Sequence, residues 1–106
     1  MSPSNPFRII FLPLTRDHLR TIERKYYSMI RETIEEQLSF EPTRPTRNRA
    51  PLKRPILGAQ WKLRFGLENQ FRVYFFVEET HQEVYIVAIA QKKGNRLYIG
   101  GEEFEL

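Results

Sequence analysis

A chain of 106 residues and 12.8 kDa supplies one domain, and 41% apolar with 13% aromatic residues is enough for one modest core rather than a disordered chain. The lack of cysteine excludes disulfides, thiolate metal sites and thiol nucleophiles, and two separated histidines, His18 and His81, do not make a histidine-rich metal centre. A net charge of +4 and a pI near 9.6 permit a polyanionic partner without requiring one. No run reaches the roughly 18–20 apolar residues of a membrane span, and the start, Met1 to Pro6, is polar and proline-broken, unlike a signal peptide. A cytoplasmic protein with no membrane, metal or cofactor requirement is expected.

The segment Phe7 to Leu12, between Pro6 and Pro13, is β-branched and aromatic and predicts a strand. Thr15 offers an N-cap hydroxyl with Asp17 in the first turn, and Leu19 and Ile22 form an apolar stripe. Ser28 can cap a second helix with Ile30, Ile34 and Leu38 on its apolar side. Residues 15–39 therefore read as a helical hairpin, in which Lys25-Tyr26-Tyr27 either breaks the chain into two helices or bends one.

Pro42, Pro45, Pro51, Pro55 and Gly58 argue against regular structure over 40–58, leaving a rigid connector. It belongs to an acid-free stretch between Glu41 and Glu68 that carries seven bases: Arg44, Arg47, Arg49, Lys53, Arg54, Lys62 and Arg64. From there the pattern alternates with period two. Trp61, Leu63 and Phe65 oppose Lys62 and Arg64; Phe71, Val73, Phe75 and Val77 oppose Arg72, Tyr74 and Phe76. Val84 to Ala90 is apolar on both faces and reads as a central strand, joined by short connections that imply antiparallel hairpins. Leu97-Tyr98-Ile99 is a last short strand. Glu102, Glu103 and Glu105 read as a solvated tail, with folding over the basic face as the alternative. One domain spans 1–106, with 1–6 and 101–106 as loose termini.

With helices covering the Trp61/Leu63/Phe65 side, the other sheet face presents Lys62, Arg64 and Arg72 beside Tyr74 and Phe76. A cationic, aromatic-lined face next to a basic loop suits RNA, with Arg47, Arg49 and Arg54 as a phosphate-tracking rim.

The order strand–helix–helix–strand–strand–strand, with Trp61 to Gly66, Phe71 to Phe75, Val84 to Ala90 and the basic pair Lys92-Lys93, resembles the RelE/ParE superfamily of bacterial toxin–antitoxin toxins over about residues 7–100. The resemblance implies an α+β fold in which an N-terminal strand and a helical hairpin pack on one face of a small antiparallel sheet. It also implies a ribosome-dependent, metal-independent cleavage of messenger RNA in which the 2′-hydroxyl attacks its own phosphate, and an antitoxin as partner. Such a reaction needs a proton acceptor, a stabiliser of extra negative charge and a proton donor for the leaving oxygen. By the resemblance, Lys62 is the base or charge stabiliser, Arg72 meets the scissile phosphate, Lys92 is the acid or phosphate clamp, and Tyr98 stacks on a base or assists proton transfer. Arg47, Arg49, Arg54, Arg64 and Lys93 complete the RNA contact set. The chain departs from the pattern at Gln60, where active RelE members carry a further lysine, and at Lys92, often an arginine. These departures keep a second reading open: a non-enzymatic or attenuated module that binds gyrase or only an antitoxin.

Overall fold

The computed structural model describes residues 5–105. Strand β1 (Arg8–Phe11) leads through Pro13 into the short helix α1 (Leu14–Arg20); a 3-10 turn (Arg24–Tyr26) then runs into α2 (Tyr27–Leu38). Five antiparallel strands follow in hairpin order, β2 (Arg49–Ile56), β3 (Ala59–Phe65), β4 (Phe71–Glu78), β5 (Glu83–Lys93) and β6 (Arg96–Ile99), with a two-residue β7 (Glu102–Glu103) on the far edge. β1 pairs in parallel with the first half of β5, Arg8 to Phe11 opposite Glu83 to Ile86, and β6 pairs antiparallel with the second half.

Thr15 and Ser28 do not cap helices. α1 starts at Leu14, and the Thr15 hydroxyl donates 2.6 Å back to the Leu12 carbonyl from inside the first turn; α2 starts at Tyr27, with Ser28 already helical. The Lys25-Tyr26-Tyr27 junction separates two helices, and the Tyr27 hydroxyl ties them by donating to the Leu19 carbonyl at 2.5 Å.

The proline-rich segment is the larger correction. Arg49 to Ile56 is a strand, not a featureless connector. Pro51 and Pro55 are tolerated because β2 is an edge strand, where a missing N–H costs no ladder bond on the solvent side. The register is broken between Pro51 and Ile56, which bends the strand. At the other end of β3, Gly66 has φ of +85°, and a Cβ there would lie 2.9 Å from Phe71 Cδ2, so the β3–β4 turn needs glycine.

Two apolar clusters lie on the two sheet faces. Ile22, Ile30, Ile34 and Leu38 from the helical side pack on Leu63, Phe65, Phe71, Val73 and Phe75, as the alternation predicts. The second cluster holds Tyr74, Val87, Ala88, Ala90 and Leu97, covered in part by Leu52 and Ile56 of β2 and by Phe104. This second cluster is why β5 is apolar on both faces. The acidic C-terminal residues are correspondingly anchored: β7 pairs with β6 and the Phe104 N–H donates to the Leu97 carbonyl at 2.8 Å. The expected loose terminus is therefore ordered through Phe104, while residues 1–4 and 106 lie outside the described residues.

Candidate nucleic-acid interface

Residues paired across neighbouring strands share a sheet face. The pairs Lys62–Tyr74, Arg64–Arg72, Tyr74–Ala88 and Arg72–Ala90 therefore set Lys62, Arg64, Arg72 and Tyr74 on one face, opposite the helices. Lys92, two residues beyond Ala90 and paired with Leu97 of the second cluster, lies on the same face. Lys62, Arg64, Arg72 and Lys92 are all half-buried.

Lys62 is the electrostatic centre of the group. Burial first, then the charges of Arg64 and Arg72, hold its ammonium below the ordinary 10.5. Beneath these cations sits Tyr74, 1% exposed. Burial pushes its phenol up, and the charge and hydrogen-bonding reach of Arg72 pull it back. Neither the Tyr74 hydroxyl nor Arg72 Nε, both buried, meets a partner with hydrogen-bond geometry. Tyr74 is thus part of the floor of this face rather than an outward aromatic, and Phe76 is stacked on Tyr85 at 4.8 Å.

Beside Lys62, a cleft of about 670 Å³ opens between the β2–β3 hairpin and the C-terminal segment, with Lys53, Arg54, Leu52 and Phe104 in its walls. Glu105 also lines it, which sets an acid close to the basic face as the alternative reading of the tail allowed. Arg47 is exposed ahead of β2, and its carbonyl accepts from Arg64 Nη2 at 3.3 Å.

Three expected site residues, Arg49, Tyr98 and Lys93, are elsewhere. Arg49 is buried: its guanidinium donates to the Glu41 carbonyl and, at 3.4 Å, to Gln37 Oε1. It ties β2 to the end of α2 and has no surface to offer a phosphate. Tyr98 pairs with Gln91, which pairs with Phe71, so it faces the helical side, away from Lys62 and Arg72. Lys93 stands over the Tyr98 ring at 5.7 Å and is exposed there, on that same side. The alternation places Tyr74 on this face but as an outward ring; its burial does not follow from the sequence pattern, because strand alternation assigns a face but not what covers it. The signal available was the small pair Ala88 and Ala90, which leaves room for a ring on a face that β5 already marked as apolar.

Among the described residues, the ligand atoms of Glu78, His81 and Glu83 lie within 4.8 Å of one another on the exposed β4–β5 hairpin. Glu83 is already engaged by Arg8 and by the Tyr85 hydroxyl at 2.8 Å, so the group reads as an ion-pair network. It sits at the opposite end of β5 from Lys92. No helix among the described residues is long and apolar enough to cross a membrane.

No protein-family model matches the sequence, and no curated protein matches it. A solved structure does match in shape: one chain of the toxin–antitoxin complex RelBE2 from Mycobacterium tuberculosis superposes with a TM-score of 0.69 at 22% identity, covering 87% of this chain and 98% of that one. An N-terminal strand, two helices on one sheet face and an antiparallel sheet with the cations on the other face make this a RelE-like α+β fold.

Proposed function

We propose that the protein is the toxin of a toxin–antitoxin pair that cleaves messenger RNA on the ribosome without a metal. The observation that carries this reading is the convergence of Lys62, Arg64 and Arg72 on one sheet face, with Lys62 held below its ordinary pKa by burial and by its two arginine neighbours. A lysine in that state is easier to deprotonate and can accept the 2′-hydroxyl proton. On this reading Arg72 carries the charge that develops on the phosphorane and Lys92 protonates the leaving oxygen, which their shared sheet face supports. Exposed Arg47 and Arg54 would extend the cationic track along the β2 side. The solved relative is crystallised as a toxin–antitoxin complex, which supports an antitoxin as partner here.

Incubation with ribosomes stalled on a defined message, in the presence of a chelator, tests the activity. Cleavage of the bound message, and poor cleavage of the same RNA free in solution, is expected. Arg72→Ala should lower the rate by about two orders of magnitude or more, as loss of one well-placed transition-state donor costs roughly 2.7–4 kcal/mol. A second reading, an attenuated module that binds without cutting, is favoured by one observation: Tyr98, expected beside the cations, faces the other side of the sheet. Antitoxin binding with an intact message would select it.

A further inference from the structure

Tyr74 has no role in the reaction as set out above, yet it is the only aromatic ring fully buried among the second cluster's core residues, and it carries a hydroxyl. A tyrosine oxygen without a partner in a dry site is costly, and phenylalanine would fill the same space without that cost. Its neighbours suggest why it is there. Tyr74 lies two residues from Arg72 on the same face of β4, and directly across from Lys62 on β3. Ala88, opposite it on β5, and Ala90, opposite Arg72, leave room beside both side chains. Arg72 Nε, a donor, and Tyr74 Oη, an acceptor, are both buried and unpartnered, and the Arg72 side chain lies within hydrogen-bonding reach of the phenol. A guanidinium whose Nε–H is directed inward keeps its two Nη groups outward in a fixed fork, the geometry that meets two oxygens of one phosphate.

We propose that Tyr74 is a positioning residue: its buried hydroxyl accepts the Arg72 Nε–H when an RNA phosphate engages the outer Nη groups, and so fixes the guanidinium against the scissile phosphate. This rests on the nuclease reading above. The free protein holds the two groups adjacent but not yet aligned, and the phosphate supplies the alignment. Misplacement of a catalytic group by about 1 Å can cost on the order of a hundredfold in rate, so the hydroxyl matters although it touches no substrate.

Tyr74→Phe removes the hydroxyl alone and keeps the ring that fills the core. Two readouts are needed. The first is the Arg72 Nε–H resonance of the isolated protein titrated with a short RNA dinucleotide that carries a 2′-deoxy sugar and cannot be cut. In the wild type, Nε–H exchange with water should slow as the dinucleotide binds, and in Tyr74→Phe it should stay fast. The second is ribosome-dependent cleavage, in which Tyr74→Phe should lower kcat about tenfold to a hundredfold, leave KM within twofold, and leave thermal stability unchanged or raised. Equal Nε–H protection in wild type and variant, or no protection in either, overturns the proposal. So does a variant with altered protection and unchanged kcat. A wild type that shows the protection but cuts nothing overturns the nuclease reading and, with it, a positioning role in catalysis, while the protection itself separates that failure from the absence of the Tyr74–Arg72 contact.

Discussion

A half-buried lysine flanked by two arginines cannot keep an ordinary ammonium pKa, because the charged form loses water and gains repulsion together. At Lys62 burial is the larger cause and Arg64 and Arg72 add to it. The arginine contribution is separable: Arg64→Ala leaves the burial but removes one repulsive charge. Titration of the Lys62 side chain by NMR should then show its pKa rising toward 10.5. An unmoved value would assign the depression to burial alone and leave Arg64 without an electrostatic part in the site. The same residue-scale logic separates Arg49 from its neighbours. Arg49→Ala should lower stability by about 1–3 kcal/mol, because it removes a buried side chain and two part-buried hydrogen bonds from a charged donor, and should leave the salt dependence of RNA binding as it was. Arg47 and Arg54 changed together to Ala should do the reverse, flattening the salt dependence with the folding midpoint unchanged. Equal effects of the two variants on both measurements would contradict the division.

At the scale of elements, α1 fills a gap in the sheet. β1 and β6 occupy the same edge of β5 end to end, and between them the Ile89 N–H has no strand partner. His18, buried on α1, supplies one: the Ile89 N–H donates to its Nδ1 at 3.2 Å. That bond needs a neutral ring with its proton on Nε2. Burial lowers the His18 pKa below 6.5, against an opposing pull from Asp17. With the folded value depressed, the unfolded chain binds the proton more readily, so this contribution is complete above pH 6.5 and is lost as pH falls below it toward the folded value. The wild-type melting temperature should decline over that window, and His18→Gln should decline less. Parallel curves would remove His18 from the account. Much of this layer was legible in advance: the alternation of Trp61, Leu63 and Phe65 against Lys62 and Arg64 gives the two faces, and the stripe Ile30, Ile34, Leu38 gives the helix that covers one of them. What alternation does not carry is tertiary pairing. β2 looked irregular because prolines break central strands, and only its place on an edge admits them. Arg49 reads as one more surface base until its burial is known, and Tyr98 changes sides with a one-residue step in register.

At the scale of the whole domain, the cations gather on the sheet face that the helices leave uncovered. The domain has a Cα radius of gyration of 13.4 Å, and its cationic sheet face adjoins a cleft beside Lys62 lined by the β2–β3 hairpin and the C-terminal segment. On the proposed nuclease reading, such a surface would neutralise phosphates while the ribosome positions the message, and bound message should be cut in preference to free RNA. The resemblance read over about residues 7–100 and the shape match to a chain of a toxin–antitoxin complex agree on the fold. The proposed chemistry rests on the cationic face. The most direct test is growth and messenger integrity in bacteria induced to make this chain alone, beside the Lys62→Ala, Arg72→Ala double variant at equal abundance. The account predicts arrest with cut messages for the wild type and normal growth with intact messages for the double variant. Arrest that persists in the double variant would contradict it.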